Sequence, residues 1–275
     1  MKINKKKIFR WLKVIALVYA VIGIALFYLQ DRFLFHPQKL SSDHVFKFDL
    51  PFKEVNIPFN ETDTVNMIKF FPGDSVKKDY SAKGVVIYYH GNMENVEHYA
   101  AFAKPFTKAG YEVWMEDYPG FGKSTGELTE ENLYAQAIEV KRMADAKFSA
   151  DSIIIYGKSF GTGIAAYVAA NSKAKLLVLE TPYYSIPGLF ETYAFIYPVQ
   201  QMSTYKIPTY QYLEGVDFPV VIFHGTKDGV ISYSCAARLK KELKPADKFI
   251  TVPGADHQNI NQQEMYYRAI DSLLR

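Results

Sequence analysis

Apolar runs and amphipathic stretches alternate over most of this chain. Short β-branched runs typical of buried strands recur between stretches of about 12–20 residues with helical spacing of apolar positions. The predicted strands are 53–59, 64–71, 85–89, 111–115, 153–156, 175–179, 220–223 and 249–252, and the predicted helices are 96–108, 129–148, 160–171, 232–243 and 258–274. The first two strands form a hairpin. The alternation that follows predicts an α/β fold with a mostly parallel central sheet and helices on both faces.

The N-terminal stretch has a different pattern. From Val14 to Leu29 no residue is charged, and with Trp11 as an interfacial residue the run approaches the ~20 residues that span a bilayer. A cleaved signal peptide is the alternative, with a shorter apolar region and a small-x-small site after it. Gly23-x-Ala25 is the one candidate for that site, and it lies inside the run. We therefore predict an uncleaved transmembrane anchor that contacts the lipid bilayer through residues 11–29.

Charge is distributed unevenly along the chain. Residues 1–30 hold six of the 32 basic side chains and no acidic one, whereas the remainder holds 26 basic and 29 acidic side chains. Because basic flanks stay in the cytoplasm, the N-terminus is predicted to be cytoplasmic and the folded part periplasmic or extracellular. A mildly acidic folded part argues against a nucleic-acid partner.

Cysteine and histidine usage limits the chemistry. Cys235 is the single cysteine, so an intrachain disulfide is excluded, and we interpret it as a helix core residue. The sequence has no Cys/His cluster and no His-Glu-x-x-His motif. We therefore expect no metal site and no cofactor.

These patterns divide the chain into three parts. We assign residues 1–30 to the basic stub and anchor, 31–50 to a juxtamembrane connector, and 51–275 to one folded domain. Residues 183–216 interrupt the alternation of strands and helices and are rich in Tyr and Phe. They follow a strand end, where loops line the ligand crevice in such sheets. This segment is either a small cap over a site or a set of surface helices that pack aromatic rings onto the sheet.

Residues 153–163 predict a strand, a sharp turn and a helix. The run Ile-Ile-Ile-Tyr ends at Gly157 and is followed by Ser159 and Gly161 in a Gly-x-Ser-x-Gly pattern. A serine at such a turn is held in a strained backbone conformation with its hydroxyl exposed, and side chains at the two glycines would collide with neighbouring elements. The adjoining helix N-terminus favours negative charge at the apex.

The same stretch contains Gly-Lys-Ser, which raises nucleotide binding as an alternative. A phosphate-binding loop requires a glycine five residues before the Gly-Lys pair. That position is Ser152 for one copy and Asp117 for the other. Both copies fail the pattern, so we set nucleotide binding aside.

Ser159 requires a base, and the base requires an orienting acid. Two histidines follow Ser159. His224 ends a strand, where we expect it to hydrogen-bond the turn, whereas His257 lies in the loop after the last predicted strand. The order Ser, Asp, His is typical of a nucleophile on a Gly-x-Ser-x-Gly turn. We therefore predict His257 as the base and Asp228, just past a strand end, as the acid.

Other acids and the oxyanion donors are also assigned. Asp256 is the runner-up to Asp228 and Glu180 is the other alternative, whereas Asp217 precedes the strand and comes too early. A tetrahedral oxyanion needs two backbone N–H donors. We predict that Phe160 and Asn92 supply them. Met93 is the next candidate for the second donor.

Six motifs together resemble the α/β-hydrolase superfamily and, within it, the membrane-anchored ABHD-type serine hydrolases. They read Phe35-His36-Pro37, Tyr89-His90-Gly91-Asn92, Asp117-Tyr118-Pro119-Gly120-Phe121-Gly122-Lys123-Ser124, Gly157-Lys158-Ser159-Phe160-Gly161, His224-Gly225-Thr226-Lys227-Asp228 and Gly254-Ala255-Asp256-His257. The resemblance covers the chain from about residue 35 to its end. It implies the α/β-hydrolase fold with a short cap and the same nucleophile, acid, base and oxyanion donors. Met93-Glu94 departs from the small residues common at that position.

The expected function is that of a serine hydrolase. The family that the chain resembles includes carboxylesterases, thioesterases, lipases and aminopeptidases. Our first hypothesis is cleavage of carboxylic esters or thioesters through an acyl-enzyme on Ser159, because the anchor places the site near the bilayer and the aromatic cap suits a lipid-like acyl substrate. An aminopeptidase is the second possibility and would need a cap acid for the free amine, namely Glu191, Glu214 or Asp217. The third is a membrane-anchored binding protein on a hydrolase fold, which would usually have lost a member of the triad.

Overall fold

A long apolar helix opens the described part of the chain. The computed structural model describes residues 5–73 and 81–275, so the first four residues of the predicted basic stub lie outside it. Helix α1 (Lys5–Leu34) has 30 residues, and its most apolar 18-residue window has a mean hydropathy of 2.4 and is not buried by the protein. At 1.5 Å per residue it measures roughly 45 Å, which exceeds the ~30 Å hydrocarbon core of a bilayer. Length and composition therefore allow α1 to cross a membrane, although a signal sequence satisfies the same test.

One mixed sheet forms the centre of the domain. Its eight strands lie in the order β10-β9-β8-β7-β4-β6-β3-β2, with β2 and β3 joined as an antiparallel hairpin, β3 antiparallel to β6 and the rest parallel. The strands are β2 (Phe52–Pro58), β3 (Thr64–Phe70), β4 (Gly84–Tyr89), β6 (Tyr111–Glu116), β7 (Ile153–Lys158), β8 (Leu176–Glu180), β9 (Val220–Gly225) and β10 (Lys248–Val252). A separate parallel pair joins β1 (His36–Pro37) to β5 (Met93–Glu94). The predicted mostly parallel sheet is confirmed.

Helices cover both faces of this sheet. They are α2 (Val96–Tyr99), α3 (Lys104–Lys108), α4 (Glu130–Asp145), α5 (Gly161–Ala170), α6 (Ile186–Phe190), α7 (Val199–Met202), α8 (Thr209–Glu214), α9 (Tyr233–Ala237) and α10 (Glu264–Leu273). Strand β6 shows how the layers divide, because Trp114 joins the buried cluster beside α4 and α5, whereas Val113 and Met115 join the cluster beside α3 and α10. The alternation of side chains along each strand thus fills two apolar layers.

Three predicted helices are shorter or more broken than expected. The predicted helix 96–108 is split into α2, a 3₁₀ turn (Ala100–Ala103) and α3, because Pro105 lacks the N–H that a continuous helix requires. The predicted helix 232–243 is α9 followed by a 3₁₀ turn (Arg238–Glu242). The predicted helix 258–274 yields only the 3₁₀ turn Ile260–Gln262 and α10, since Asp256 accepts the N–H groups of the first two residues in a local turn.

The connector and the cap are integrated into the domain. Helix α1 continues to Leu34, four residues into the predicted connector, and Phe35 directly after it is buried. Residues 183–216 contain α6, α7 and α8 between β8 and β9. Within this segment Tyr183 and Leu213 are buried in the core, whereas Phe195 is largely exposed. Some aromatic residues of the segment thus pack in the core and others lie at the surface, and its role as a cap over the site stays a prediction.

Candidate active site

The turn around Ser159 is held by close contacts between backbones. Ser159 lies between β7 and α5 with a φ of +51°, a conformation that a non-glycine residue rarely adopts. A Cβ at Gly161 would lie 2.1 Å from the Tyr89 carbonyl oxygen, and one at Gly157 would lie 2.5 Å from the Gly161 carbonyl oxygen. The steric reason given for the two glycines is therefore confirmed by these contacts. The turn presents the hydroxyl at the carboxyl edge of the sheet.

Ser159, His257 and Asp228 form one hydrogen-bonded chain. His257 Nε2 lies 2.9 Å from Ser159 Oγ, and His257 Nδ1 lies 2.8 Å from Asp228 Oδ2. Asp228 follows β9 and His257 follows β10, so both side chains lie at the same edge of the sheet as Ser159, which follows β7. All three residues are buried, with exposed fractions of 8% each. The imidazole is thereby placed to accept the hydroxyl proton on one side while the carboxylate fixes its other nitrogen.

The environment of Asp228 keeps it ionised. Burial would raise the pKa of the carboxyl, but the hydrogen bond and positive potential of His257 and the N–H of Ile231 together hold that pKa below its ordinary value. Asp228 Oδ1 accepts the N–H groups of Val230 and Ile231 at 2.9 and 2.8 Å. The oxygen facing His257 thus stays negative, which stabilises an imidazolium.

His224 lies beside the triad and does not complete it. Its Nε2 donates to the Ile231 carbonyl oxygen at 2.9 Å and is 3.6 Å from Asp228 Oδ2. Burial lowers the pKa of His224, so the ring is neutral near pH 7. The interpretation of His224 as a residue that hydrogen-bonds the turn is confirmed by this contact.

The alternative acids are engaged elsewhere. Asp256 accepts hydrogen bonds from Gln258 and from the backbone and side chain of Asn259. Asp217 pairs with Lys173 at the surface. Neither carboxylate is bonded to His257.

Glu180 belongs to a buried ion pair next to the nucleophile. Its carboxylate contacts Lys158 Nζ and the Tyr156 hydroxyl, and both charged side chains are almost fully buried. Tyr266 completes the group through its hydroxyl, 2.6 Å from that of Tyr156. Glu180 therefore neutralises Lys158. Sequence reasoning considered Lys158 only as part of a phosphate-binding loop and Glu180 only as a candidate triad acid, so it missed this pair.

The loop after β4 is braced by the end of α1. The Asn92 side-chain amide donates to the Leu34 carbonyl oxygen at 2.5 Å, and the Asn92 carbonyl oxygen accepts the His36 N–H at 2.9 Å. Phe35 packs edge-on against Phe160, with ring centroids 5.0 Å apart. Sequence reasoning treated residues 31–50 as a connector and missed this contribution. The apolar Phe35, shortly after the predicted anchor, was the available signal.

The two predicted oxyanion donors flank the serine turn. Phe160 caps the N-terminus of α5, where the first N–H groups lack intrahelical partners. Asn92 lies in the loop after β4, the strand that pairs with β7. The backbone of Met93 hydrogen-bonds the Tyr99 hydroxyl, which partly offsets the burial that raises the pKa of Tyr99 to about 12. Met93 is therefore the less available of the two candidates for the second donor.

His90 shapes this loop. Its ring is fully buried, and Nδ1 lies 2.7 Å from the Gly91 carbonyl oxygen while Nε2 is 3.4 Å from Asp117 Oδ1. The Tyr118 hydroxyl donates to the His90 carbonyl oxygen at 2.7 Å. Asp117 in turn accepts the Val96 N–H. The described residues contain no cluster of three His, Cys, Asp or Glu side chains that would hold a metal ion.

Comparison with known proteins agrees with this geometry. A family model described as "Serine aminopeptidase, S33" (Hydrolase_4) matches residues 80–218. The human alpha/beta hydrolase domain-containing protein 17B is 27% identical over 201 residues, which are 70% of this chain and 66% of that protein. The Caenorhabditis elegans alpha/beta hydrolase domain-containing protein aho-3 is 28% identical over 169 residues, 59% of this chain and 48% of that protein. The chain thus spans less than two thirds of these relatives.

Solved structures share the fold at low sequence identity. The Pyrococcus furiosus esterase Pf2001 superposes with a TM-score of 0.67 and 17% identity, covering 88% of this chain and 96% of its own. Est1E from Butyrivibrio proteoclasticus, solved with ferulic acid, has a TM-score of 0.61 and 19% identity, covering 78% and 95%.

The fold and the serine turn define an α/β hydrolase of the ABHD type. The chain belongs to the Hydrolase_4 family, whose model spans half of its length.

The lowered pKa of Asp228 predicts how stability depends on pH. The folded carboxyl binds a proton less readily than the unfolded one, whose pKa is about 3.8. The stabilisation is therefore complete above that value and is lost as the pH falls through the lowered pKa. We expect the difference in free energy of unfolding between wild type and Asp228→Asn to be largest near neutral pH and to shrink in acid, as measured by urea unfolding in detergent.

Asp49→Asn is the control for this measurement, because that side chain is 90% exposed. Its unfolding profile should run parallel to that of the wild type. An Asp228→Asn profile that also runs parallel through the acid range would contradict the assignment.

Proposed function

We propose that this protein is a serine hydrolase that cleaves carboxylic esters or thioesters through an acyl-enzyme on Ser159. One observation carries the proposal: a strained serine, a histidine and an ionised aspartate lie in a single hydrogen-bonded chain. Membership of a hydrolase family supports it. A binding protein on this fold would have no need to keep Ser159 at a positive φ, with its strain of order 1–3 kcal/mol.

The reaction follows from the positions of the three side chains. His257 Nε2 removes the Ser159 proton as Oγ attacks the acyl carbon, and the resulting oxyanion accepts the N–H groups of Phe160 and Asn92. His257 then donates the proton to the departing alkoxide or thiolate, which leaves an ester on Ser159. Water attacks this ester with the same proton transfers, releasing the acid and the free serine. Asp228 stabilises the imidazolium in both halves.

The rim of the site favours an apolar acyl group. Met93 next to the oxyanion loop, Val230 next to Asp228 and Tyr193 from the cap are all large, apolar in character and exposed. The Tyr193 hydroxyl donates to the Val230 carbonyl oxygen at 2.5 Å, which places the cap against the loop that carries the acid. An apolar acyl chain would cover this rim on binding.

The cap acids argue against an aminopeptidase. Glu191 lies 3.9 Å from Arg238, and Asp217 is paired with Lys173. Glu214 is exposed on α8. A free substrate amine would have to compete with basic side chains for two of these three carboxylates, so we rank ester cleavage first.

We further propose that α1 anchors this hydrolase in a membrane, with the N-terminus in the cytoplasm and the domain on the other side. The charge-free run in the middle of α1 and the basic residues before it support this arrangement.

Ser159→Ala should abolish labelling by a fluorophosphonate probe and lower ester turnover by about 10⁴-fold or more, because both require the hydroxyl. Labelling is read from a gel and turnover from a chromogenic ester. Ser234→Ala, which changes an exposed serine on α9, should label fully. Persistent labelling of the Ser159→Ala protein would refute the nucleophile.

A series of chromogenic esters of increasing acyl length should show rising kcat/KM, by up to about fourfold per buried methylene. Aminoacyl amides run beside the esters should be poorer substrates, since two of the three cap acids are paired with basic side chains. Faster cleavage of the amides than of the matched esters would favour the aminopeptidase instead.

In spheroplasts, external protease should digest a C-terminal tag and spare an N-terminal one, because the basic flank of α1 stays inside. Inverted vesicles should give the opposite pattern and serve as the control. A C-terminal tag reached only from the cytoplasmic side would overturn the orientation.

A further inference from the structure

One stripe of α1 is docked on the cap. Tyr19, Gly23, Leu26, Gln30 and Leu34 recur at helical spacing, and the last four are the residues of this half of the helix that the domain covers in part or in full. The other faces of the same helix remain exposed and apolar. Helix α1 is therefore not a free extension of the domain, because its C-terminal half lies along it.

The contact reaches far along the helix. The Tyr19 ring stacks on that of Tyr197, with centroids 4.5 Å apart and an interplanar angle of 11°. The Tyr19 hydroxyl donates to the Ile196 carbonyl oxygen at 3.0 Å, and the Tyr197 hydroxyl donates to the Tyr19 carbonyl oxygen at 3.1 Å. Gly23 permits this approach, since a Cβ there would lie 3.1 Å from the Tyr197 ring.

A second contact lies nearer the domain. Gln30 Oε1 accepts the Thr204 N–H at 2.7 Å, and Gln30 Nε2 donates to the Met202 carbonyl oxygen at 3.3 Å. Tyr19 and Gln30 are separated by roughly 16 Å of helix at 1.5 Å per residue. Cap residues 196–204 therefore run beside the middle and the end of the charge-free part of α1.

This geometry constrains how α1 can enter a membrane. The helix before the contact, residues 5–18, measures roughly 21 Å, which is shorter than the ~30 Å hydrocarbon core. If the cap stayed outside the bilayer, the remaining helix could not cross it. The charge-free run can enter the hydrocarbon only if the cap enters with it.

The outer end of the cap has an exposed apolar surface, which a position inside the bilayer requires. We define the cap tip as residues 193–197, in which Tyr193, Phe195 and Ile196 are 63%, 78% and 59% exposed. Together with the exposed apolar faces of α1 they make one continuous apolar surface of the kind that marks a membrane contact.

Part of the cap-tip backbone is hydrogen-bonded within the protein. The N–H groups of Tyr193 and Ala194 donate to the Phe190 carbonyl oxygen, and that of Tyr197 donates to the Ala194 carbonyl oxygen. The Ile196 carbonyl oxygen accepts the Tyr19 hydroxyl. Internal pairing of this kind is what lowers the cost of placing a turn in lipid.

We propose that the cap tip inserts into the lipid leaflet beside α1, so that an acyl substrate reaches Ser159 from the bilayer. The link to the site is Tyr193, which bonds the Val230 carbonyl oxygen while the Val230 N–H bonds Asp228. The insertion rests on the contacts of α1 and on the proposed membrane anchoring, whereas the delivery of substrate rests also on the proposed hydrolase activity.

Fluorescence quenching tests the insertion without any assay of activity. Phe195→Trp is made in the full-length chain carrying Trp11→Phe, so that the other tryptophan is Trp114, which is buried. The protein is reconstituted into phosphatidylcholine vesicles with bromine atoms on the acyl chains. We expect Trp at position 195 to be quenched by the brominated lipid and shielded from acrylamide.

Tyr267→Trp in the same background is the matched control. Tyr267 is 49% exposed on α10, on the opposite face of the sheet from α1. It should show the reverse pattern, with quenching by acrylamide and none by the lipid. The same reverse pattern at position 195 would overturn the insertion.

A pair of aspartate variants tests delivery. Because a charge in the leaflet is costly, Phe195→Asp should lower cleavage of a long-chain ester embedded in vesicles by about tenfold or more. Cleavage of a short, water-soluble ester should be unchanged, and Tyr267→Asp should alter neither. An equal loss on both esters would refute delivery from the bilayer. Failure of the wild type to cleave either ester would refute the proposed function and leave the quenching result as the test of insertion.

Discussion

The close contact between the serine turn and the end of β4 is the constraint on which the rest of the structure depends. Gly161 lies so near the Tyr89 carbonyl that no side chain fits, and the Ser159 N–H is held by the Glu180 carbonyl oxygen at 2.9 Å. The turn is thus fixed between two neighbouring strands. Because β4 and β8 also end at the carboxyl edge of the sheet, the loops that follow them are fixed together with the serine turn. The strained conformation of Ser159 persists because its surroundings leave no alternative.

The buried charges next to the turn belong to the same constraint. The Lys158 ammonium group contacts the Glu180 carboxylate, which neutralises it, so the cation beside Ser159 adds no free charge to the site. Breaking such a pair by removing one partner typically costs about 3–5 kcal/mol, since the other charge stays buried. The ion pair therefore supports the turn, and His257, held by Asp228, contacts the Ser159 hydroxyl.

Helix α1, the proposed membrane anchor, together with Phe35 after it, also contacts residues of the candidate active site. The last carbonyl oxygen of α1, that of Leu34, accepts a hydrogen bond from the Asn92 amide. The residues after α1 pair with the loop that holds Asn92 and pack on Phe160. Both proposed oxyanion donors therefore contact the end of α1 or the residue that follows it. Nearer its N-terminus, the same helix contacts residues 196–204. A displacement of α1 relative to the domain would therefore disturb Asn92, Phe160 and residues 196–204 together.

The sequence alone determined the order of strands and helices, the turn at Ser159 and the three residues that the structure joins by hydrogen bonds. These features are local, because a few neighbouring residues are enough to identify a β-branched run, a Gly-x-Ser-x-Gly pattern or a loop after a strand. Helix breaks at Pro105 and at the Asp256 turn were also local, but the apolar periodicity continued across them and masked them. What only the tertiary structure decided depends on contacts between distant segments. The pairing of Glu180 with Lys158, the bracing of Asn92 by Leu34 and the docking of Tyr19 on Tyr197 join residues 22, 58 and 178 positions apart. The periodicity of one segment does not predict these contacts, because each depends on how the fold brings distant segments together.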